Sequence, residues 1–163
     1  MALKAITTHY NGRKFRSRLE ARWGVFFDYM GWDYEYEQEG FVLQSGPYLP
    51  DFYFRNFNLY AEVKAAELNA KELLFCKDLS NDMDTESGSI DVLILEGAPK
   101  NKSYRTIIDG DIGTNVLLLS DQEKFFPLFS SDEFIDQWTF LDRTKYAVKM
   151  ANEYRFEHGE GLK

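Results

Sequence analysis

"YLPDFYFRNFNLYAEVKAAE", residues 48–67, contains two short apolar runs separated by a turn. The runs YLPDFYF and LYAEVKA are rich in aromatic and aliphatic residues, as in buried strands. Residues 55–58 between them suit a four-residue hairpin connection, which sets Phe54 opposite Leu59 and makes opposed residue numbers sum to 113. We therefore predict an antiparallel strand pair in this register. A bulge or a longer turn would shift the register.

Three charged residues, Asp51, Glu62 and Lys64, interrupt these apolar strands. In the predicted register Asp51 lies opposite Glu62, so the two side chains share a face with Cβ atoms about 5 Å apart. Lys64 follows Glu62 by two residues and projects from that face too. Carboxylates so close repel by about 3 kcal/mol at an effective dielectric constant of about 20. Lys64 could partly offset this repulsion, and Mg²⁺ or Mn²⁺, which prefer oxygen ligands, would do so better.

The segments around this pair predict a mixed α/β (α+β) domain. RKFRSRLEARWGVFFDYMG has apolar residues at helical spacing, which predicts a helix over residues 14–30 with Glu20 at the edge of its apolar face. WDYEYEQEGFVL alternates as a half-exposed strand does. AKELLFCKDLSNDM predicts a second helix, and IDVLILEG a buried strand. The resulting order, α-β-β-β-α-β, describes one mixed sheet flanked by helices.

The C-terminal part of the chain predicts additions to this core. SYRTIIDG and TNVLLLS are read as further strands, and DQEKFFPLF and SSDEFIDQWTF as short helical or irregular covers. DRTKYAVKMANEYRFE predicts a closing helix, with Tyr146, Met150 and Tyr154 as its apolar stripe. Without a linker-like segment, residues 1–163 are interpreted as a single domain.

Composition and charge narrow the function classes. The chain has one cysteine, no apolar run of membrane-spanning length and no signal-peptide core, so we expect a cytoplasmic protein without a membrane partner. The two histidines lie near opposite ends, and no Walker lysine loop, G-x-G-x-x-G or G-x-S-x-G occurs. The net charge is −8, but residues 1–22 hold six basic residues and one acidic residue, which suits phosphate contacts.

Pro50-Asp51, ten intervening residues and then Glu62-Val63-Lys64 resemble the motif of the PD-(D/E)XK nuclease superfamily. Residues 11–67 and the RFEHGE ending are similar to those of small phage and bacterial proteins of this type. The resemblance implies a restriction-endonuclease-like αβββαβ core. It also implies a Mg²⁺- or Mn²⁺-dependent DNA endonuclease of phage or bacterial origin, acting in DNA processing in a bacterial host cell.

The resemblance also implies roles for individual residues. Asp51 and Glu62 would bind the metal, with the Val63 carbonyl as a third ligand and Glu20 completing the site. Lys64 would orient or deprotonate the attacking water and neutralise charge that builds on phosphorus. Taken singly, Glu20 could instead pair with Arg16 on a solvated helix, and Lys64 could be a surface partner of Glu62.

Basic residues flank this site and are candidates for nucleic-acid contacts. They are Arg13, Lys14, Arg16, Arg18, Arg22 and Lys149. DNA is the expected substrate and RNA the alternative, with specificity supplied by DNA shape, a homodimer or a partner protein. The alternative function is a catalytically inactive nuclease-like fold that binds nucleic acid or protein.

Overall fold

A mixed β-sheet with helices on both faces organises the chain in the computed structural model, which describes residues 5–81, 90–100, 103–108, 110–112, 116–117 and 137–156. The first half contains β1 Thr8–Tyr10, β2 Arg13–Phe15, α1 Arg18–Met30, β3 Glu35–Tyr36, β4 Phe41–Leu43, β5 Gly46–Tyr48, β6 Phe52–Phe54 and β7 Leu59–Lys64. The second half contains α2 Ala70–Asn81, β8 Asp91–Glu96, β9 Ser103–Ile108, β10 Asp111–Ile112, β11 Val116–Leu117 and α3 Gln137–Glu153. The fold class is therefore mixed α/β, as predicted.

The main sheet has the strand order β10-β9-β8-β7-β6-β3, with β11 also paired to β9. Strands β7 and β8 are parallel and are connected through α2, whereas the other neighbours are antiparallel. Hairpins β1–β2 and β4–β5 form separate two-stranded sheets. The described elements of the main sheet thus combine an antiparallel meander with one β-α-β crossover.

The register predicted for the central hairpin is confirmed. Phe52 pairs with Ala61 and Phe54 with Leu59, and a single turn of 3₁₀ helix, Arg55–Phe57, connects the strands. Asn58 closes this turn with a φ of 47°, a left-handed conformation that asparagine tolerates better than most residues. The hairpin therefore sets Asp51, one residue before β6, opposite Glu62 on β7.

Strand β7 separates two hydrophobic cores. Leu59, Ala61 and Val63 face the core formed with α1 and α3, where Trp23 and Phe27 are fully buried. The alternate residues face α2 and the β4–β5 hairpin, where Tyr60 belongs to the second core. Because strand side chains alternate, Glu62 and Lys64 emerge on the α2 face at the end of β7.

The predicted start of the first helix, at residue 14, is wrong. Residues 8–15 form the hairpin β1–β2, whose tight turn at Asn11-Gly12 has positive φ at both positions. Helix α1 begins at Arg18 because Ser17 caps it, and it ends at Gly31, which adopts a left-handed conformation. Lys14 therefore lies on β2 and not on the helix that carries Arg18 and Arg22.

The long strand predicted from WDYEYEQEGFVL is also wrong, because it breaks after two residues. Strand β3 ends at Tyr36, and Glu37 follows with a φ of 46°. The FVL part belongs to a different pair, in which β4 joins β5. This break turns the chain toward Asp51, whose carbonyl accepts a hydrogen bond from the Glu37 N–H at 2.9 Å.

The apolar stripe predicted for the closing helix forms only part of its packing face: Tyr154 packs against the core and the Tyr146 ring contacts Tyr29. Tyr146 is 53% exposed, whereas Thr144, Ala147 and Ala151 are fully buried where α3 packs on α1. Small residues allow the two helix backbones to approach closely. Residues 118–136, which contain DQEKFFPLF, the end of TNVLLLS and most of SSDEFIDQWTF, lie outside the described residues, as does the end of the RFEHGE segment.

We expect Ala147→Leu to destabilise the protein by about 1–3 kcal/mol, because a larger side chain must fit into a fully packed helix contact. The melting temperature should fall by about 2–4 °C per kcal/mol. Lys145→Leu is the control, since it adds the same side chain at an exposed position of α3. Equal melting temperatures for both variants in differential scanning calorimetry would contradict this packing.

Candidate metal centre

Asp51 is the buried centre of the site, with a relative exposure of only 2%. Its Oδ2 atom accepts a hydrogen bond from the Val63 N–H at 2.7 Å, which fixes the carboxyl group against β7. Burial raises the pKa of Asp51 well above its ordinary value, and the nearby charges of Glu62 and Glu20 raise it further. The opposing effects of the Val63 N–H and of Arg16 are smaller. The side chain is therefore held where additional positive charge would be favourable.

Glu20 reaches the same place from the N-terminus of α1. Its Oε1 accepts from the Ser17 hydroxyl at 2.7 Å, and Ser17 Oγ accepts from the Glu20 N–H at 3.1 Å, so the helix cap also orients the carboxylate. The other oxygen accepts a hydrogen bond from the Tyr36 hydroxyl. Burial and this bond raise the pKa of Tyr36. The side chain of Glu20 is thus fixed by two donors at a helix end that favours negative charge.

Glu37 is a third carboxylate, which the sequence analysis missed. One oxygen each from Glu20, Glu37 and Asp51 lie within 4.8 Å of one another, a spacing that could hold a metal ion. Burial raises the pKa of Glu37, as do the charges of Glu20 and Glu62, while Arg16 lowers it. The alternation of YEYEQEG suggested a solvent-facing residue at this position. The left-handed turn that redirects Glu37 has no glycine to signal it.

Glu62 and Lys64 form the other side of the site. Glu62 is 6% exposed, and its two oxygens contact the Tyr48 hydroxyl at 2.7 Å and the Lys64 Nζ at 3.0 Å. The ring of Tyr48 stacks on Phe75 with centroids 5.4 Å apart, which holds the phenol in place. Glu62 therefore lies across from Asp51 on the neighbouring strand. It is not part of the closer group formed by Glu20, Glu37 and Asp51.

Lys64 lies between two carboxylates. Its Nζ atom is 3.3 Å from Glu72 as well as 3.0 Å from Glu62. Glu72 belongs to the cap of α2, where it exchanges two hydrogen bonds of 2.9 Å with Asn69. Burial alone would lower the pKa of Lys64, but the two carboxylates raise it above its ordinary value. Lys64 is consequently a protonated ammonium group beside Glu62.

Arg16 lies within the acidic cluster. Its Nη2 atom is 2.9 Å from Asp51 Oδ1, and its Nε pairs with Glu37. A guanidinium group thus stands among carboxylates at a place where a metal cation would be favourable. The site would suit a hard divalent ion such as Mg²⁺ or Mn²⁺, because its donors are oxygen atoms and Asp51 is buried. The Arg16 guanidinium group occupies a position that such a cation could take. Val63, predicted to offer its carbonyl, contacts Asp51 through its N–H.

The other basic residues predicted to contact nucleic acid occupy varied environments. Arg13 lies over the Tyr34 ring at 4.6 Å, and Arg22 donates to the carbonyls of Ala151 and Asn152 at 2.8 and 3.0 Å, joining α1 to the end of α3. Arg18 is the first residue of α1. Lys14 on β2 and Lys149 on α3 have exposed side chains. The structure thus gathers Glu20, Asp51, Glu62 and Lys64. Contact of the basic residues with nucleic acid stays a prediction.

Comparisons of this chain with models of protein families, with curated proteins and with solved structures find no match. Among the described residues, no helix combines the length and apolar character needed to cross a membrane.

Proposed function

We propose that this chain is a metal-dependent nuclease that hydrolyses phosphodiester bonds, with DNA as its first-choice substrate. The observation that carries this proposal is the position of Asp51. It is buried, its pKa is raised, and it lies between Glu20 and Glu37 on one side and the Glu62–Lys64 pair on the other. Charge repulsion at such a place is costly for folding, and binding of a cation is the function that best accounts for it.

The arrangement of elements supports a restriction-endonuclease-like core. Helix α1, strands β3, β6 and β7, helix α2 and strand β8 occur in the order αβββαβ, with the β4–β5 hairpin inserted between β3 and β6. The three antiparallel strands and the parallel β7–β8 pair are contiguous in the sheet. The resemblance of the Pro50-Asp51 and Glu62-Val63-Lys64 motifs to PD-(D/E)XK nucleases therefore has a consistent structural setting.

Asp51, Glu20 and Glu37 would hold the metal, with Glu62 on the opposite side and the Val63 carbonyl as a further candidate ligand. A bound Mg²⁺ or Mn²⁺ lowers the pKa of a water ligand and stabilises negative charge on the phosphate. Lys64, as an ammonium group, is suited to orienting the water and neutralising charge on phosphorus. Tyr48 and Tyr36 keep the carboxylates of Glu62 and Glu20 in fixed orientations.

A catalytically inactive nuclease-like module is the second candidate. The ion pair between Arg16 and Asp51 favours it, because an arginine already neutralises part of the acidic cluster. The net charge of −8 also suits a basic protein partner better than a polyanion. In this case the cluster would have a structural role and the chain would bind without cutting.

Incubation of the purified protein with supercoiled plasmid, linear duplex, single-stranded DNA and RNA tests the proposal. Each substrate is combined with Mg²⁺, Mn²⁺ or EDTA, and Glu62→Ala is run beside the wild type. We expect DNA cutting with metal, none with EDTA, and none by the variant. Binding of nucleic acid without cutting under every metal condition would support the inactive module instead. Cutting of RNA alone would show that RNA, and not DNA, is the substrate.

A further inference from the structure

Arg16 and a metal ion would need the same oxygen atom of Asp51. The Oδ2 atom already accepts the Val63 N–H at 2.7 Å, so Oδ1 is the oxygen of Asp51 that is free of this backbone donor. Arg16 Nη2 binds that Oδ1 atom at 2.9 Å, while its Nε pairs with Glu37. A guanidinium group and a dication repel each other at such a distance. The two cations are therefore competitors for one position.

The backbone of Arg16 is fixed, but its side chain is accessible. The Arg16 N–H donates to the Tyr36 hydroxyl at 3.0 Å, and the next residue, Ser17, caps α1. The Arg16 side chain is 59% exposed, compared with 3% for the side chain of Asp51 and 21% for that of Glu37. The guanidinium group can therefore rotate into solvent while the backbone at the start of α1 stays in place.

We propose that Arg16 is a displaceable counter-ion. It neutralises Asp51 and Glu37 in the metal-free protein and leaves them when a divalent cation binds. The released guanidinium group then lies beside the metal centre, where its planar array of donors suits a substrate phosphate. This inference rests on the proposed function, because it takes the acidic cluster as the metal site.

Calorimetric titration with Mn²⁺ alone, on the full chain, tests this role. Arg16→Gln should bind Mn²⁺ about tenfold more tightly than wild type, since no charge-assisted hydrogen bond must be broken first. In EDTA the same variant should melt about 3 °C lower, because the carboxylates lose their counter-ion. These opposite effects distinguish a counter-ion from a residue that merely supports the fold. Arg16→Lys, which keeps the charge but lacks the forked donors, should bind Mn²⁺ with intermediate affinity.

Lys14→Gln is the matched control, since it removes one positive charge from an exposed position two residues away. It should change Mn²⁺ affinity less than about twofold, as expected for an exposed, screened charge. Unchanged or weaker Mn²⁺ binding by both Arg16 variants would overturn the inference while leaving the nuclease proposal intact. If neither the wild type nor any variant binds Mn²⁺, the Arg16 inference and the nuclease proposal are both overturned. Tighter binding by Arg16→Gln without cleavage of any nucleic acid would support the inference and contradict the proposed function alone.

Discussion

Replacement of Lys64 by methionine is expected to slow metal-dependent cleavage by about 10²- to 10⁴-fold, the range associated with loss of a positioned proton-transfer or charge-neutralising group. Methionine keeps the apolar stem of the side chain and removes the ammonium group that lies 3.0 Å from Glu62. Affinity for Mn²⁺ should not fall, because the loss of a positive charge beside Glu62 favours a cation. Single-turnover cleavage of a labelled duplex, combined with Mn²⁺ calorimetry, separates the two effects.

Lys71→Met is the matched control for this prediction. Lys71 is an exposed lysine on α2, 5.9 Å from the Phe75 ring centroid, and no proposed role depends on it. Its replacement should leave the cleavage rate within about twofold of wild type, as is usual for a surface substitution away from the site. A Lys64→Met variant that cuts as fast as Lys71→Met would show that the ammonium group has no part in the reaction.

Replacement of Asp51 by asparagine should have opposite effects on function and on stability. Asp51 would bind the metal directly, so its replacement should weaken Mn²⁺ binding by more than about a hundredfold. Loss of a residue that only hydrogen-bonds to a metal ligand typically costs about 10- to 100-fold. Cleavage should be abolished. In EDTA at neutral pH, however, the variant should melt about 3 °C higher, the shift produced by about 1 kcal/mol in a chain of this size. The amide can still accept from the Val63 N–H but carries no buried charge.

The stability gain should depend on pH in a defined direction. The pKa of Asp51 is raised in the folded protein, so the folded state binds this proton more tightly than the unfolded state does. Its contribution to stability is therefore present below the unfolded pKa, about 4, and is lost as the pH rises through the folded pKa. The difference between Asp51→Asn and wild type should accordingly grow from acidic to neutral pH. Asp33→Asn, at an exposed position, should show no such growth.

The central hairpin could be predicted from sequence because its determinants are local. Side chains alternate strictly along a strand, and a four-residue connection between Phe54 and Leu59 fixes the register of the pair. The opposition of Asp51 and Glu62 follows from that register, and the contact of Glu62 with Lys64 follows from the two-residue spacing. The motif that suggested a metal site therefore lies on the part of the fold that a sequence defines best.

The start of the chain contains sequence signals for a hairpin and for a helix start, although its apolar residues also fit helical spacing. The apolar side chain of Phe15 fitted the helix pattern, although it belongs to β2 and is buried beside the rings of Tyr36 and Phe52. The Asn11-Gly12 pair is a strong hairpin signal, and Ser17 with Glu20 three residues later is a capping box. Together these two signals indicate a helix that begins at Arg18.

The positions of Glu37 and Arg16 could not have been predicted by the same reasoning. Glu37 enters the cluster because the backbone turns left-handed after β3, and its N–H is held by the Asp51 carbonyl, a contact between distant parts of the structure. The charge pattern predicts phosphate contacts for Arg16, because basic residues cluster near it in sequence. Its ion pair with Asp51 spans 35 residues and depends on the packing of β2 and α1 against β6.

The most direct test of the metal centre is an anomalous difference map from crystals grown with Mn²⁺ and measured at the manganese absorption edge. We predict a peak bonded to Asp51 Oδ1 and to at least one oxygen of Glu20, Glu37 or Glu62, with the Arg16 side chain turned away from Asp51. A map without a peak among these carboxylates, in which Arg16 still binds Asp51 at saturating Mn²⁺, would contradict the proposal that this chain holds a catalytic metal.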